Sequence, residues 1–119
     1  MREDGGTQMK ARLRVDLTAA IKLGRKRDAA LIRELIAAID NAEAAPDPGE
    51  RASLVRHDFH SGSAEVERLF LSKHQVRSVL LREIEKRERA AAEFGRLGEA
   101  ERADSVHQEV LAAKRYVDG

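Results

Sequence analysis

Cysteine and tryptophan are absent from this 119-residue sequence, and it contains only two prolines. Without cysteine the chain cannot form disulfides, thiolate metal sites, iron–sulfur clusters or a cysteine nucleophile, so nothing in it requires an oxidising compartment. Aromatic residues make up 3% of the sequence, so a hydrophobic core must be filled by aliphatic side chains. The same scarcity leaves no platform on which unstacked nucleic-acid bases would stack.

A predominance of one charge sign is also missing. The 22 basic and 21 acidic residues leave a net charge of +1, so the whole molecule generates no strong field for polyanions. No segment approaches the roughly 18 apolar residues of a membrane span, and the first six residues include no apolar run. We therefore expect a cytoplasmic protein without membrane contact. Its length fits one domain over residues 1–119 with a modest core.

Apolar residues recur at steps of three and four in several segments, which is the period of amphipathic α-helices. The predicted helices cover about residues 8–23, 28–44, 73–97 and 99–117. Thr7 and Asp28 are the expected N-caps of the first two helices, and Gly24 is expected to end the first. Ser72 and Gln75 have the spacing of a capping box at the start of the third.

This pattern predicts an all-α fold in which two short helices pack on a long antiparallel helical hairpin, as in a four-helix bundle. The predicted core seam takes apolar positions from every helical stripe: Leu17, Ile21, Leu35, Ile39, Leu80, Ile84 and Leu111. Residues 45–71 contain both prolines and follow no period, so we expect a long mobile connection there, most mobile over residues 46–63. Val66, Leu69 and Phe70 are expected to anchor it to the bundle.

Residue patterns that would carry catalysis are few. The chain has no Ser/His/Asp arrangement in a rigid context, and its glycine pairs lack the lysine and the spacing of a phosphate-binding loop. We predict no catalytic residue, cofactor or metal, although a site assembled from scattered residues would leave no motif. The imidazoles of His57 and His60, with the Asp58 carboxylate, could contribute to a divalent metal site if the loop folded around it, but no third strong ligand is nearby. Polar loop and surface histidines are the favoured interpretation.

Basic residues cluster in three places and could together contact phosphate oxygens. The candidates for such contacts are Arg25, Lys26, Arg27, Lys86, Arg87 and Arg89, with Lys114 and Arg115 nearby on the last helix. Each cluster also has acidic neighbours. Mixed charge of this kind is more often a solvated helix face, so direct RNA contact and a plain solvated surface both stay open at this point.

Two segments resemble helices of the GatB/YqeY family. Residues 80–94, Leu-Leu-Arg-Glu-Ile-Glu-Lys-Arg-Glu-Arg-Ala-Ala-Ala-Glu-Phe, resemble its signature helix, and residues 31–43 are similar to its Arg-x-Leu-x-x-Ala-Ile-x-Asn-Ala-Glu helix. Residues 71–76 resemble the family's Leu-Ser-x-x-x-Val helix start. Residues 93–99 stand where the family has a Glu-x-Tyr-x-x-x-Gly-Arg turn, with Phe94 in place of the tyrosine.

The resemblance covers about residues 9–44 and 71–117 and implies the first, N-terminal helical domain of that family. It implies an association with the tRNA-dependent amidotransferase, a carbon–nitrogen ligase that uses glutamine as amide nitrogen donor, and hence tRNA or amidotransferase subunits as partners. The kinase and glutaminase chemistry belongs to other regions of that enzyme. We therefore expect an accessory or binding module without its own active site; the alternative is a helical protein-interaction adaptor unrelated to tRNA.

Overall fold

The computed structural model describes residues 4–44 and 69–118. These residues form four helices: α1 (Gly5–Lys22), α2 (Lys26–Ala44), α3 (Lys73–Arg96) and α4 (Ala100–Asp118). No strand occurs in the described ranges, and the all-α, bundle-like prediction is confirmed. Within the same ranges no helix has the length and apolarity needed to cross a bilayer. The predicted mobile connection lies outside the described residues except for its last three.

The first helix begins three residues earlier than predicted, and its N-cap is Asp4 rather than Thr7. The Asp4 carboxylate accepts hydrogen bonds from the Thr7 backbone N–H at 3.3 Å and from the Thr7 hydroxyl at 2.6 Å. The side-chain hydrogen bond from Thr7 holds the pKa of Asp4 below its usual value. The two glycines that follow Asp4 have low helix propensity, which is why sequence reasoning placed them outside the helix.

A tertiary contact offsets that low propensity. The backbone N–H groups of Gly5 and Gly6 donate to the Leu71 carbonyl at 2.8 and 3.3 Å, which ties the start of α1 to the residues just before α3. Leu71 is buried, whereas Leu69 and Phe70 are exposed. The predicted apolar anchoring by the Leu69 and Phe70 side chains is therefore wrong, although the Leu69 backbone N–H donates to the Glu43 carbonyl at 2.9 Å. Val66 lies outside the described residues.

The remaining helix ends divide between confirmed and wrong predictions. Gly24 has a φ of +72°, the left-handed conformation that glycine adopts readily, and follows the C-cap of α1 as predicted. The capping box at α3 is present: the Gln75 N–H donates to the Ser72 hydroxyl at 3.1 Å and the Ser72 N–H to the Gln75 side chain at 2.9 Å. Asp28 is not a cap, because α2 begins at Lys26 and includes Asp28 in its first turn.

The core is mainly aliphatic and draws on all four helices. Its largest fully buried side chains are Leu13, Leu35, Ile39, Leu80 and Val110. The predicted seam is confirmed at Leu35, Ile39, Leu80 and Ile84, and Leu17 packs against the core in a partly buried position.

The seam is wrong at Ile21 and Leu111, which are 53% and 48% exposed. Each lies one residue after a buried one, Ala20 or Val110, and one helical step rotates a side chain by about 100°. The sequence correctly identified both amphipathic helices. The predicted seam included the larger residues Ile21 and Leu111, which lie at the edges of the two apolar stripes. The buried residues at the centres of these stripes are the smaller Ala20 and Val110.

Candidate functional site

The turn between α1 and α2 carries an exposed basic cluster. Arg25 precedes α2, and Lys26 and Arg27 open its first turn. All three are exposed, and within the described ranges none of them forms an ion pair. The cluster is therefore available to an external anion.

Arg87, by contrast, is 7% exposed and surrounded by glutamates. Its Nη1 donates to Glu83 Oε1 at 3.0 Å, its Nε donates to Glu109 Oε1 at 3.2 Å, and its Nη2 pairs with Glu34. Burial alone would lower the pKa of Arg87, but the hydrogen bond with Glu83 and the Glu34 charge outweigh burial and raise it. All three guanidinium nitrogens are engaged by these glutamates, so Arg87 joins α2, α3 and α4. The predicted contact of Arg87 with RNA phosphates stays a prediction, and it would require one of these pairs to break.

The other two candidates on α3 remain at the surface. Lys86 is exposed, with its Nζ 3.8 Å from Glu83 Oε1. Arg89 is exposed and forms no ion pair with the described residues. On α4, Lys114 Nζ lies 3.8 Å from Glu88 Oε2. The α3 group is thus partly neutralised by glutamates of its own helix, Glu83 and Glu88.

The structure brings Arg25 into one cleft with Arg12 and Arg115, which sequence reasoning did not combine. This cleft lies between α1, α2 and α4, has a volume of about 250 Å³, and also contains Asp16 and Asp28. The sequence does not single out Arg12 as a site residue, because an arginine four residues before an aspartate is typical of an ordinary exposed ion pair on a helix.

Arg12 does not pair with Asp16 because a tyrosine occupies that carboxylate. The Tyr116 hydroxyl donates to Asp16 Oδ2 at 2.5 Å, while the Arg12 guanidinium lies over the Tyr116 ring, 4.7 Å from its centroid. Arg12 Nη2 also donates to the Arg115 carbonyl at 3.4 Å. Burial, followed by the hydrogen bond to Asp16, raises the pKa of Tyr116. Arg12 is therefore held in place without a carboxylate partner among the described residues.

A second buried ion cluster joins α1 to α2. Lys10 is 4% exposed, and its Nζ lies 2.7 Å from Asp40 Oδ1 and 2.7 Å from Glu43 Oε1. Burial alone would lower the pKa of Lys10, but the hydrogen bonds with Asp40 and Glu43 outweigh it and raise that pKa. An ammonium kept protonated in this way is neither a nucleophile nor a general base at neutral pH.

Groups suited to a metal ion are absent from the part of the chain that is described: no three or more His, Cys, Asp and Glu side chains are arranged to hold one. His57 and His60 lie outside that part. His74 and His107 are exposed on separate helices. Comparison with known proteins assigns no relative: no family model matches the chain, and neither a curated protein nor a solved structure matches it.

Proposed function

We propose that this chain is a helical accessory or binding module of the GatB/YqeY type, which contacts RNA through phosphate attraction in the context of tRNA-dependent amidation. It has no active site of its own in this proposal. The resemblance of residues 31–43 and 80–94 to that family's helices supports the assignment. Those segments lie within α2 and α3.

The observation that supports the proposed RNA contact is the exposed turn cluster of Arg25, Lys26 and Arg27. Cations without an intramolecular partner can contact phosphate oxygens without first breaking an ion pair, and each contact releases counterions from the nucleic acid. Arg115, in the same cleft as Arg25, extends the basic surface onto α4. Lys86, Arg87 and Arg89 stay as peripheral candidates, although contact by Arg87 would require one of its glutamate pairs to break.

Binding through this surface should depend little on the nucleotide sequence of the RNA. Phosphate contacts position a protein on RNA, whereas base identity is read through base edges and aromatic stacking. The chain's one tyrosine is Tyr116, which is buried and covered by Arg12. We therefore expect weak binding that discriminates little among tRNA species and falls steeply with salt.

The test is a titration of labelled tRNA at two ionic strengths with the parent chain and with a variant in which Arg25, Lys26 and Arg27 are alanine. We expect the variant to bind at least about tenfold more weakly and its salt dependence to be shallower, by about one unit of log–log slope for each lost phosphate contact. A matched control removes three cations that already pair with glutamates: Arg96, Arg102 and Lys114. The control should retain more affinity than the turn variant.

Three outcomes decide against the proposal. Salt-independent, species-selective binding would defeat the phosphate mechanism. No binding at low salt would favour the protein-interaction adaptor, and native co-purification would then be expected to recover unrelated proteins and not amidotransferase subunits or tRNA. Glutamine-dependent turnover by the pure chain would make it a stand-alone carbon–nitrogen ligase.

A further inference from the structure

A second cleft lies on the opposite side of the Arg12–Tyr116 pair from the turn cluster, between α1, the first turns of α3 and the end of α4. Its volume is about 330 Å³. Met9, Val76, Leu80 and Val117 give it an apolar wall, and three basic residues also line it: Arg12, Lys73 and Arg77. This volume falls within the range of small-molecule sites, which combine an apolar lining with a few convergent polar groups.

The charge of this cleft is of one sign. None of the described residues that line it is acidic, in contrast to the neighbouring cleft with its two aspartates. Arg77 is exposed and forms no ion pair in the described ranges. Arg12 is oriented by the Tyr116 ring and the Arg115 carbonyl, so it loses little freedom when it binds an anion. Two arginines and Lys73 thus line a small, partly apolar cleft, and no acidic residue of the described ranges lines it.

We propose that this cleft binds a small organic phosphate monoester, with Arg12 and Arg77 on the phosphate and the apolar wall on the organic body. A phosphate monoester carries about −1.5 to −2 charges at pH 7 and has three strong acceptor oxygens. Two guanidinium forks match such a dianion better than a carboxylate, which has one charge and two oxygens. The internal phosphodiesters of RNA have one charge each and therefore match two guanidinium groups less well than a phosphate monoester does. Arg25 lines the neighbouring cleft and not this one.

The shape of the cleft depends on the close approach of α1 to α3. The Gly5 and Gly6 amides donate to the Leu71 carbonyl, and Gly5 itself lines the cleft. On α4, the Tyr116 hydroxyl is fixed by Asp16, which holds the ring beneath Arg12. Both sides of the cleft are therefore fixed by hydrogen bonds before a ligand arrives.

The probe is phenyl phosphate, titrated into the full isotope-labelled chain and followed by amide chemical shifts. We expect saturable binding, at least about tenfold tighter than that of benzoate or inorganic phosphate, with the largest shift changes around Met9 and Val76. Arg12→Gln and Arg77→Gln should each weaken binding about tenfold, since each removes a charge-assisted hydrogen bond to the phosphate. Arg14→Gln, a control on the exposed side of α1, should leave the affinity unchanged.

Arg77→Gln keeps the test decisive if Arg12→Gln disturbs the Tyr116 packing, because the Arg77 side chain is exposed. Absence of saturation, or unchanged affinity in Arg77→Gln, would overturn the proposal. So would equal displacement of the probe by an oligonucleotide without a terminal phosphate, which would indicate general attraction to nucleic acid. The alanine variant of Arg25, Lys26 and Arg27 should bind phenyl phosphate normally, and this separates the site from the RNA surface.

Discussion

At the scale of single residues, the buried charges of this protein connect helices. Lys10 joins α1 to two carboxylates of α2, and Arg87 joins α3 to carboxylates on α2 and α4. In the described part of the chain no buried side-chain nitrogen or oxygen lacks a hydrogen-bond partner. Because breaking a buried pair leaves an uncompensated charge, each cluster disfavours a shifted helix register more than an apolar contact would. We therefore assign Lys10 and Arg87 a role in the fold.

Two glycines provide a matched test of close helix packing. A Cβ at Gly5 would lie 2.7 to 2.9 Å from backbone atoms of Ser72 and Lys73, whereas a Cβ at Gly95 would meet nothing within 4 Å. Gly5→Ala should destabilise the fold by about 1–3 kcal/mol, since overpacking against backbone outweighs alanine's higher helix propensity. Gly95→Ala should stabilise it by up to about 1 kcal/mol. Urea denaturation measures both, and equal or higher stability of Gly5→Ala would show that α1 does not approach α3 so closely.

At the scale of elements, periodicity predicted the four helices because each buries one stripe of aliphatic side chains. Boundaries were less predictable where the decisive contact is distant in sequence. The residues next to Gly5 in the sequence do not indicate that its N–H donates to the Leu71 carbonyl. Those next to Lys10 do not indicate that its ammonium pairs with a carboxylate more than 30 residues away. The glutamate partners of Arg87 could not be predicted for the same reason, because they come from three helices.

The buried faces of the two hairpin helices, α3 and α4, can be tested by substitution. Ile84 on α3 is 3% exposed, whereas Leu111 on α4 is 48% exposed. Ile84→Ala should lower the free energy of unfolding by about 2–4 kcal/mol, and Ile84→Asp by more, because an unpaired carboxylate would be buried. Leu111→Asp should change stability by less than about 0.5 kcal/mol. Thermal and urea unfolding of these variants provide the measurement; a large loss for Leu111→Asp would return it to the core and contradict the phase of α4.

At the scale of the whole molecule, the fold depends on an aliphatic core and two buried ion clusters, with no disulfide. Its weak net charge means that global charge repulsion contributes little near neutral pH. The pH dependence of stability should therefore come from a few groups in specific environments. Lys10 and Tyr116 both have raised pKa values, which places their contribution in the alkaline range.

Lys10 and Tyr116 both stabilise the folded state less as the pH rises. The unfolded chain releases the Tyr116 proton near pH 10 and the Lys10 proton near pH 10.4, before the folded protein releases either. Their contribution to stability is therefore complete below about pH 10 and falls above it, by at most about 1.4 kcal/mol per pH unit for each proton. Urea denaturation at pH 8 to 11 should show this fall, and Tyr116→Phe should make it shallower while Arg14→Gln leaves it unchanged. Because the chain has one tyrosine and no tryptophan, tyrosinate absorbance reports Tyr116 alone. Its appearance near pH 10 in the folded protein, or an unaltered slope in Tyr116→Phe, would contradict a tyrosine buried against Asp16.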